Sequence, residues 1–191
     1  MSLDRIRLAS LHDKVISADQ AAEFIQDGMT VGMSGFTRAG EAKAVPQALV
    51  HRAKANPLKI TLITGASLGN DLDKQLTEAG VLARRLPFQV DNTLRRAINN
   101  GEVMFIDQHL SETVEQMRNL QLKRPDVAVI EAIAITEDGG IIPTTSVGNS
   151  ASFAIFAEKV IVEINTSLSE AFEGLHLSLI HISEPTRQEA I

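Results

Sequence analysis

The sequence predicts an α/β fold with a mostly parallel sheet flanked by helices. Short β-branched apolar runs alternate with amphipathic stretches along the chain. The runs near 29–33 and 59–64 each break into a glycine-containing loop that precedes a helix, the signature of strand–loop–helix units. A turn signal, Thr136-Glu137-Asp138-Gly139-Gly140, joins two apolar runs and predicts that at least one strand pair is antiparallel. No internal repeat is visible.

Residues 3–13 have mixed helical periodicity. Ser17 followed by Gln20 predicts a capped helix over 18–26, closed by Asp27 and Gly28. Met29, Val31 and Met33 read as a buried strand, and 43–54 as a helix with Val45, Leu49 and Ala53 on one stripe. Pro46 sits near its start, where a missing N–H costs little. Asn56 and Pro57 end that helix, and 59–64 is a second buried strand. Asp71 is predicted to cap a helix to Ala79, which Gly80 stops. The segment 81–86 is ambiguous because Arg84 and Arg85 interrupt it; Arg84, Arg85, Arg95 and Arg96 have the charge to bind a substrate anion, but adjacent arginines point different ways and solvated surface is the preferred reading. A helix from Asp91 to Asn99, a strand over 102–107 and a helix over 110–122 follow. The longest apolar strand spans 127–135; after the hairpin come a short run ending at Pro143, a helix over 151–158 and a strand over 160–164.

Composition narrows the function classes. In 191 residues, 44% are hydrophobic and 22% charged, an ordinary globular balance. Net charge of −6 argues against nucleic acid as a partner, since a phosphate footprint needs clustered Lys and Arg. Apolar runs fall short of the ~20 residues of a membrane span, so no membrane partner is expected. The start MSLDRIRLAS lacks the apolar core of a secretory signal, and a cytoplasmic setting follows. The absence of cysteine removes disulfides and thiolate chemistry, and the five histidines show no paired spacing, so no metal site is expected.

Three small-residue loops are the candidates for chemistry: 34–43, 65–70 and 144–150. A glycine-rich loop opening into a helix offers backbone N–H groups and the positive end of the helix dipole to an anion, although a tight strand-to-helix turn needs the same glycines. Gly35 and Gly40 have the glycine spacing of a phosphate-binding G-x-x-x-x-G-K-S/T loop, but Glu41 and Ala42 follow. The run Gly32-Met33-Ser34-Gly35-Phe36-Thr37-Arg38-Ala39-Gly40 also departs from the dinucleotide pattern. Neither nucleotide class is supported. Glu131 lies in an apolar strand and Glu137 and Asp138 in a turn, so all three read as structural.

The strings DGMTVGMSGFTRAGEAKAVPQAL, ITLITGASLGNDLD, FIDQHLSE and DVAVIEAIAITEDGGIIPTTSVGNS, followed by AEKVIVEIN, resemble the acetyl-CoA hydrolase/transferase branch of the class I coenzyme A transferases. The likeness to succinate, propionate or acetate CoA-transferases runs over residues 16–176. It implies that residues 1–176 are the N-terminal domain of a two-domain enzyme, in truncated form, with acyl-CoA and small carboxylates as partners and a homodimeric parent. It also implies transfer through a glutamyl-CoA intermediate, on a glutamate of the second domain; no catalytic residue is therefore assigned here, and coenzyme A enters as substrate, not cofactor. The first domain would line the carboxylate site with Gly35, Phe36, Thr37, Ala39 and Gly40, beside Gly65, Ala66 and Ser67, with Ser146, Gly148 and Asn149 on the third side. Acetyl-CoA hydrolysis and a non-catalytic domain binding an anionic metabolite are the alternatives. Residues 177–191, LSLIHISEPTRQEAI, resemble an in-frame translation of a sequencing-library adapter and are expected to be an artefact tail, so His181, Ser183 and Glu184 form no triad.

Overall fold

The computed structural model describes residues 3–174 and 188–190. Most of the segment 177–191, with His176, therefore lies outside the described residues.

Strand β1 (Thr30–Met33) leads to helix α2 (Ala44–Ala55), β2 (Ile60–Thr64), α3 (Leu72–Glu78), β3 (Leu82–Leu86), α4 (Asn92–Asn99) and β4 (Met104–Phe105). Helix α1 (Ala18–Ala22) precedes them; α5 (Leu110–Arg118), β5 (Val127–Ile135), β6 (Ile141–Pro143), α6 (Ser150–Phe156) and β7 (Lys159–Ile164) follow, and residues 188–190 form β8. The sheet order is β4-β3-β2-β1-β5-β7-β8. All neighbours along that path are parallel, while β6 pairs antiparallel with β5 as the hairpin signal predicts. The chain first winds outward from β1 to β4, then returns to place β5 on the other side of β1. Strand order thus reverses between β1 and β5, where open α/β sheets form a crevice at the carboxyl ends of their strands.

Both faces of the sheet are covered. Val127, Val129, Leu62 and Ile161 pack with Leu49 of α2 and Leu76 of α3 on one side. Ala128, Ile130, Ile63 and Val160 pack with Phe153 of α6 and Met117 of α5 on the other. Strands β1 and β5 are buried along their whole length, which is why they read as continuous apolar runs.

Several boundaries move for local reasons. The capping box at Ser17 and Gln20 forms as predicted, but α1 stops at Ala22. The guanidinium of Arg52 on α2 takes the carbonyls of Ala22 and Ile25, and the backbone tightens into i→i+3 bonds from Phe24 and Ile25. Helix α5 ends at Arg118 because Leu120 turns left-handed at φ 59° and Gln121 N–H returns to Gln116 O at 2.8 Å. A leucine at that position leaves no trace in sequence patterning. The ambiguous segment is a strand, β3, and β4 shortens to two residues at the sheet edge. Asp91 caps α4 through bonds from Thr93 N and Leu94 N, both at 2.8 Å. Asp71 does not cap α3; it sits at φ 57° inside a turn.

Candidate functional site

Ser34 begins the first loop by prolonging the β1 ladder. Its N–H donates to Val129 O at 2.8 Å, its Oγ accepts from Glu131 N at 2.9 Å, and its hydroxyl donates to Gly40 O at 2.8 Å. The loop tip is a tight turn: Phe36 and Ala39 exchange backbone hydrogen bonds at 2.8 and 3.1 Å around Thr37 (φ 48°) and Arg38 (φ 70°). Two consecutive left-handed residues other than glycine cost of order 1–2 kcal/mol each, and such strain concentrates at functional loops. The second loop repeats the device. Leu72 N–H donates to Gly69 O at 2.9 Å across Asn70 (φ 48°) and Asp71 (φ 57°).

The loops meet on their glycines. A Cβ on Gly65 would stand 2.5 Å from Gly35 O, 3.3 Å from Gly148 Cα and 3.4 Å from Asn149 N. One on Gly40 would stand 2.5 Å from Ser146 Oγ, whose hydroxyl donates to Ala39 O at 2.6 Å. All three predicted loops therefore converge beside the point where strand order reverses. The first two follow parallel strands. The third gets there because β6 folds back along β5, pairing Pro143 with Ala132, which returns the chain to the level of the β1 end.

Gly35, Gly40, Gly65, Ala66 and Ser67 are buried; Ala39, Ser146 and Asn149 are half-buried; Phe36, Thr37 and Gly148 are exposed. Phe36 thus presents an aromatic face to solvent, 43% exposed. In the second loop and at the junction of the third loop with α6, Ser67 Oγ, Asn149 Nδ2 and Ser150 Oγ are buried with no hydrogen-bond partner among the described residues. Buried polar atoms of that kind are unusual in a finished core and favour a polar guest.

Charge around the loops is arranged mostly for structure. The start of α2 is not open to a ligand anion, correcting the reading of a free helix terminus. The Glu163 carboxylate already accepts from Lys43 N at 2.7 Å and from Ala44 N and Val45 N at 3.0 Å. Glu131 is buried and saturated: Lys43 Nζ stands 2.5 Å away, Asn165 Nδ2 donates at 2.8 Å, and Thr144 Oγ1 also donates to it. Arg85 is fully buried, not solvated. Its Nε meets Asp73 Oδ1 at 2.9 Å and its Nη2 donates to Ala66 O at 3.0 Å, while Leu68 N donates to Asp73 Oδ2 at 3.0 Å. This ion pair braces the second loop from below. Among the described residues no group of three or more His, Asp or Glu could hold a metal, and no helix is long and apolar enough to cross a membrane.

An open cleft of about 420 Å³ lies beside the loops, lined by Arg38, Glu41, Leu68, Asn70, Lys74 and Asp91 among others. Sequence reasoning missed it. Glu41 looks like a solvated loop acid, yet it is 2% exposed, receives Asn70 Nδ2 on Oε1 and has Oε2 unpartnered. The sequence signal for it was weak: an acid where a phosphate-binding loop would carry lysine.

Residues 2–188 match the family model described as the acetyl-CoA hydrolase/transferase N-terminal domain. The chain belongs to that family. It is 42% identical over 189 residues to the succinyl-CoA:acetate CoA-transferase of Clostridium kluyveri, covering 98% of this chain and 35% of that protein. It is 37% identical over 198 residues to the acetyl-CoA hydrolase of Schizosaccharomyces pombe, covering 98% and 38%. The chain therefore spans about a third of the length of these relatives. In fold it is similar to the glutaconate coenzyme A-transferase of Acidaminococcus fermentans, at a TM-score of 0.64 and 15% identity, over 78% of this chain and 66% of that one. The family membership and the mostly parallel sheet flanked by helices thus agree with the sequence reading.

Proposed function

We propose that this chain is the N-terminal part of an enzyme that moves coenzyme A between small carboxylates such as succinate, acetate and propionate. The observation that carries the reading is the convergence of three side-chain-poor loops beside the strand-order reversal, in a chain of this family. Phe36, Thr37 and the half-buried Ala39, Ser146 and Asn149 form the accessible wall for the carboxylate; Gly35, Gly40, Gly65, Ala66, Ser67 and Gly148 bring the loops close enough to build it.

The chemistry is a two-step exchange. A glutamate attacks the thioester carbonyl and releases the CoA thiolate, leaving a mixed anhydride; the thiolate then attacks the glutamyl carbonyl and releases the first carboxylate. The resulting glutamyl-CoA passes CoA to the second carboxylate by the reverse steps. The family likeness puts that glutamate in the second domain of the parent protein, and the commitment of Glu131 and Glu163 to hydrogen bonds that hold the fold supports this reading.

The test is product analysis in the full-length parent, with acetyl-CoA supplied alone or with succinate. Succinyl-CoA formed only when succinate is present supports transfer. Free CoA accumulating at the same rate in both mixtures supports hydrolysis, the second reading, which the likeness to an acetyl-CoA hydrolase favours. A domain that only binds an anionic metabolite would leave acetyl-CoA intact. The same proposal takes the parent to be a cytoplasmic homodimer with coenzyme A as substrate and no cofactor. It treats residues 177–191 as adapter-derived, a point decided by reading the genomic DNA across codon 176.

A further inference from the structure

Glu131 stands where β5 runs past the end of β1. The last pair of that ladder joins Met33 to Val129, and two residues further on the Glu131 N–H donates to Ser34 Oγ at 2.9 Å. The residue is 3% exposed, and each group its carboxylate binds belongs to a site loop or to the end of a neighbouring strand. Lys43, at the far end of the first loop, brings Nζ to 2.5 Å from Oε1 and also donates to Glu41 O at 2.8 Å. Thr144 opens the third loop, is fully buried, and donates its hydroxyl to Oε2. Asn165 Nδ2, just after β7, donates to Oε1 at 2.8 Å. Ser34 closes the circuit by donating to Gly40 O at 2.8 Å. One buried residue thus holds both ends of the first loop and the start of the third. The second loop is braced separately, by Arg85 and Asp73.

β5 is buried along its length, and an apolar side chain at this position would pack without the desolvation cost of a carboxylate. What the carboxylate adds is direction: hydrogen bonds fix the spacing of two loops where apolar contact alone specifies it loosely. We propose that Glu131 is a positioning residue for the carboxylate wall formed by Phe36, Thr37, Ala39, Ser146 and Asn149. By setting the gap between the first and third loops, it sets which small carboxylate the enzyme prefers. The assignment rests on the function proposed above. Glu131 touches no substrate in it; it acts through Lys43 and Thr144. A wall displaced by about 1 Å alters the fit of carboxylates of different length unequally.

The experiment is initial-rate kinetics on the full-length parent, with acetyl-CoA as donor and succinate or propionate as acceptor. The readout is the ratio of the two kcat/KM values. Loss of folded enzyme scales both values alike and leaves the ratio untouched, whereas a displaced wall changes it. Glu131→Gln combined with Lys43→Met removes both charges together, so no unpaired ion is left inside. Thr144→Val keeps a buried β-branched side chain and cuts only the tie to the third loop. The double variant is expected to change the ratio about five-fold or more, and Thr144→Val to change it in the same direction to a smaller degree. A thermal melt of each variant records the accompanying loss of stability. Ratios equal to the parent's in both variants would overturn the positioning role and leave the transferase reading standing. Should the double variant fail to fold, an unchanged ratio in Thr144→Val is enough by itself to overturn the role. A parent that passes coenzyme A to neither acceptor would overturn the transferase reading and this assignment with it.

Discussion

Gly65 does more for the site than any polar residue near it, because what it contributes is the absence of a side chain. Its Cβ position is 2.5 Å from a backbone oxygen, that of Gly35, and backbone cannot swing aside as a side-chain tip can. Gly65→Ala is therefore expected to push the first two loops apart and destabilise the fold by about 1–3 kcal/mol, read from the denaturant midpoint. A midpoint equal to the parent's would show that the loops are not in contact in solution. Gly40→Val would be a poorer probe of carboxylate binding than its loop position suggests. Gly40 combines φ 68° with the Ser146 contact, so the variant would disturb backbone and packing together. Residue types alone placed these glycines in the site loops, but they read equally well as binding or as packing. Arg85 shows the opposite failure: a charged residue in a short strand reads as solvated, and only its pairing with Asp73 and Ala66 O makes burial tolerable.

At the scale of elements, local chemistry was legible wherever a motif closes within a few residues. The Ser17 capping box, the Asp91 cap and the antiparallel turn after β5 all form as their sequences demand. What depends on a distant partner was not legible. The N-terminus of α2 is capped by Glu163, whose carboxylate comes from β7, 118 to 120 residues further along the chain. Glu163→Ala should cost about 1–2 kcal/mol, since three consecutive N–H groups lose their acceptor and the helix dipole its anion. Amide hydrogen exchange would show the loss as faster exchange at Lys43, Ala44 and Val45. Unchanged exchange there would mean that water serves those groups as well as the carboxylate does. The same contact explains why a helix start that looks ready for a ligand anion is already satisfied from within.

For the whole molecule, the sheet is a two-way winding about β1, and its order decides where the loops can meet. Strand β7 borders β5 on one side and pairs with residues 188–190 through its other edge. An apolar strand with open N–H and C=O groups is a template for intermolecular pairing. Deleting residues 177–191 is accordingly expected to produce concentration-dependent association, visible by light scattering; a monomer at all concentrations would show that the β7 edge is protected some other way.

The sequence by itself determined the alternation of strands and helices, the antiparallel hairpin, the loops of small residues and, through long strings of specific residues, the family. These properties are carried by neighbours along the chain, where periodicity, caps and turn chemistry act over a few residues. Only the tertiary structure decided that the third loop returns to the first two, that Arg85 and Glu41 are buried, and that a cleft opens between strand ends. Each of these depends on which residues distant in sequence occupy the same space, and burial then changes the meaning of a charge: in water it is solvated, inside it must find a partner or wait for one.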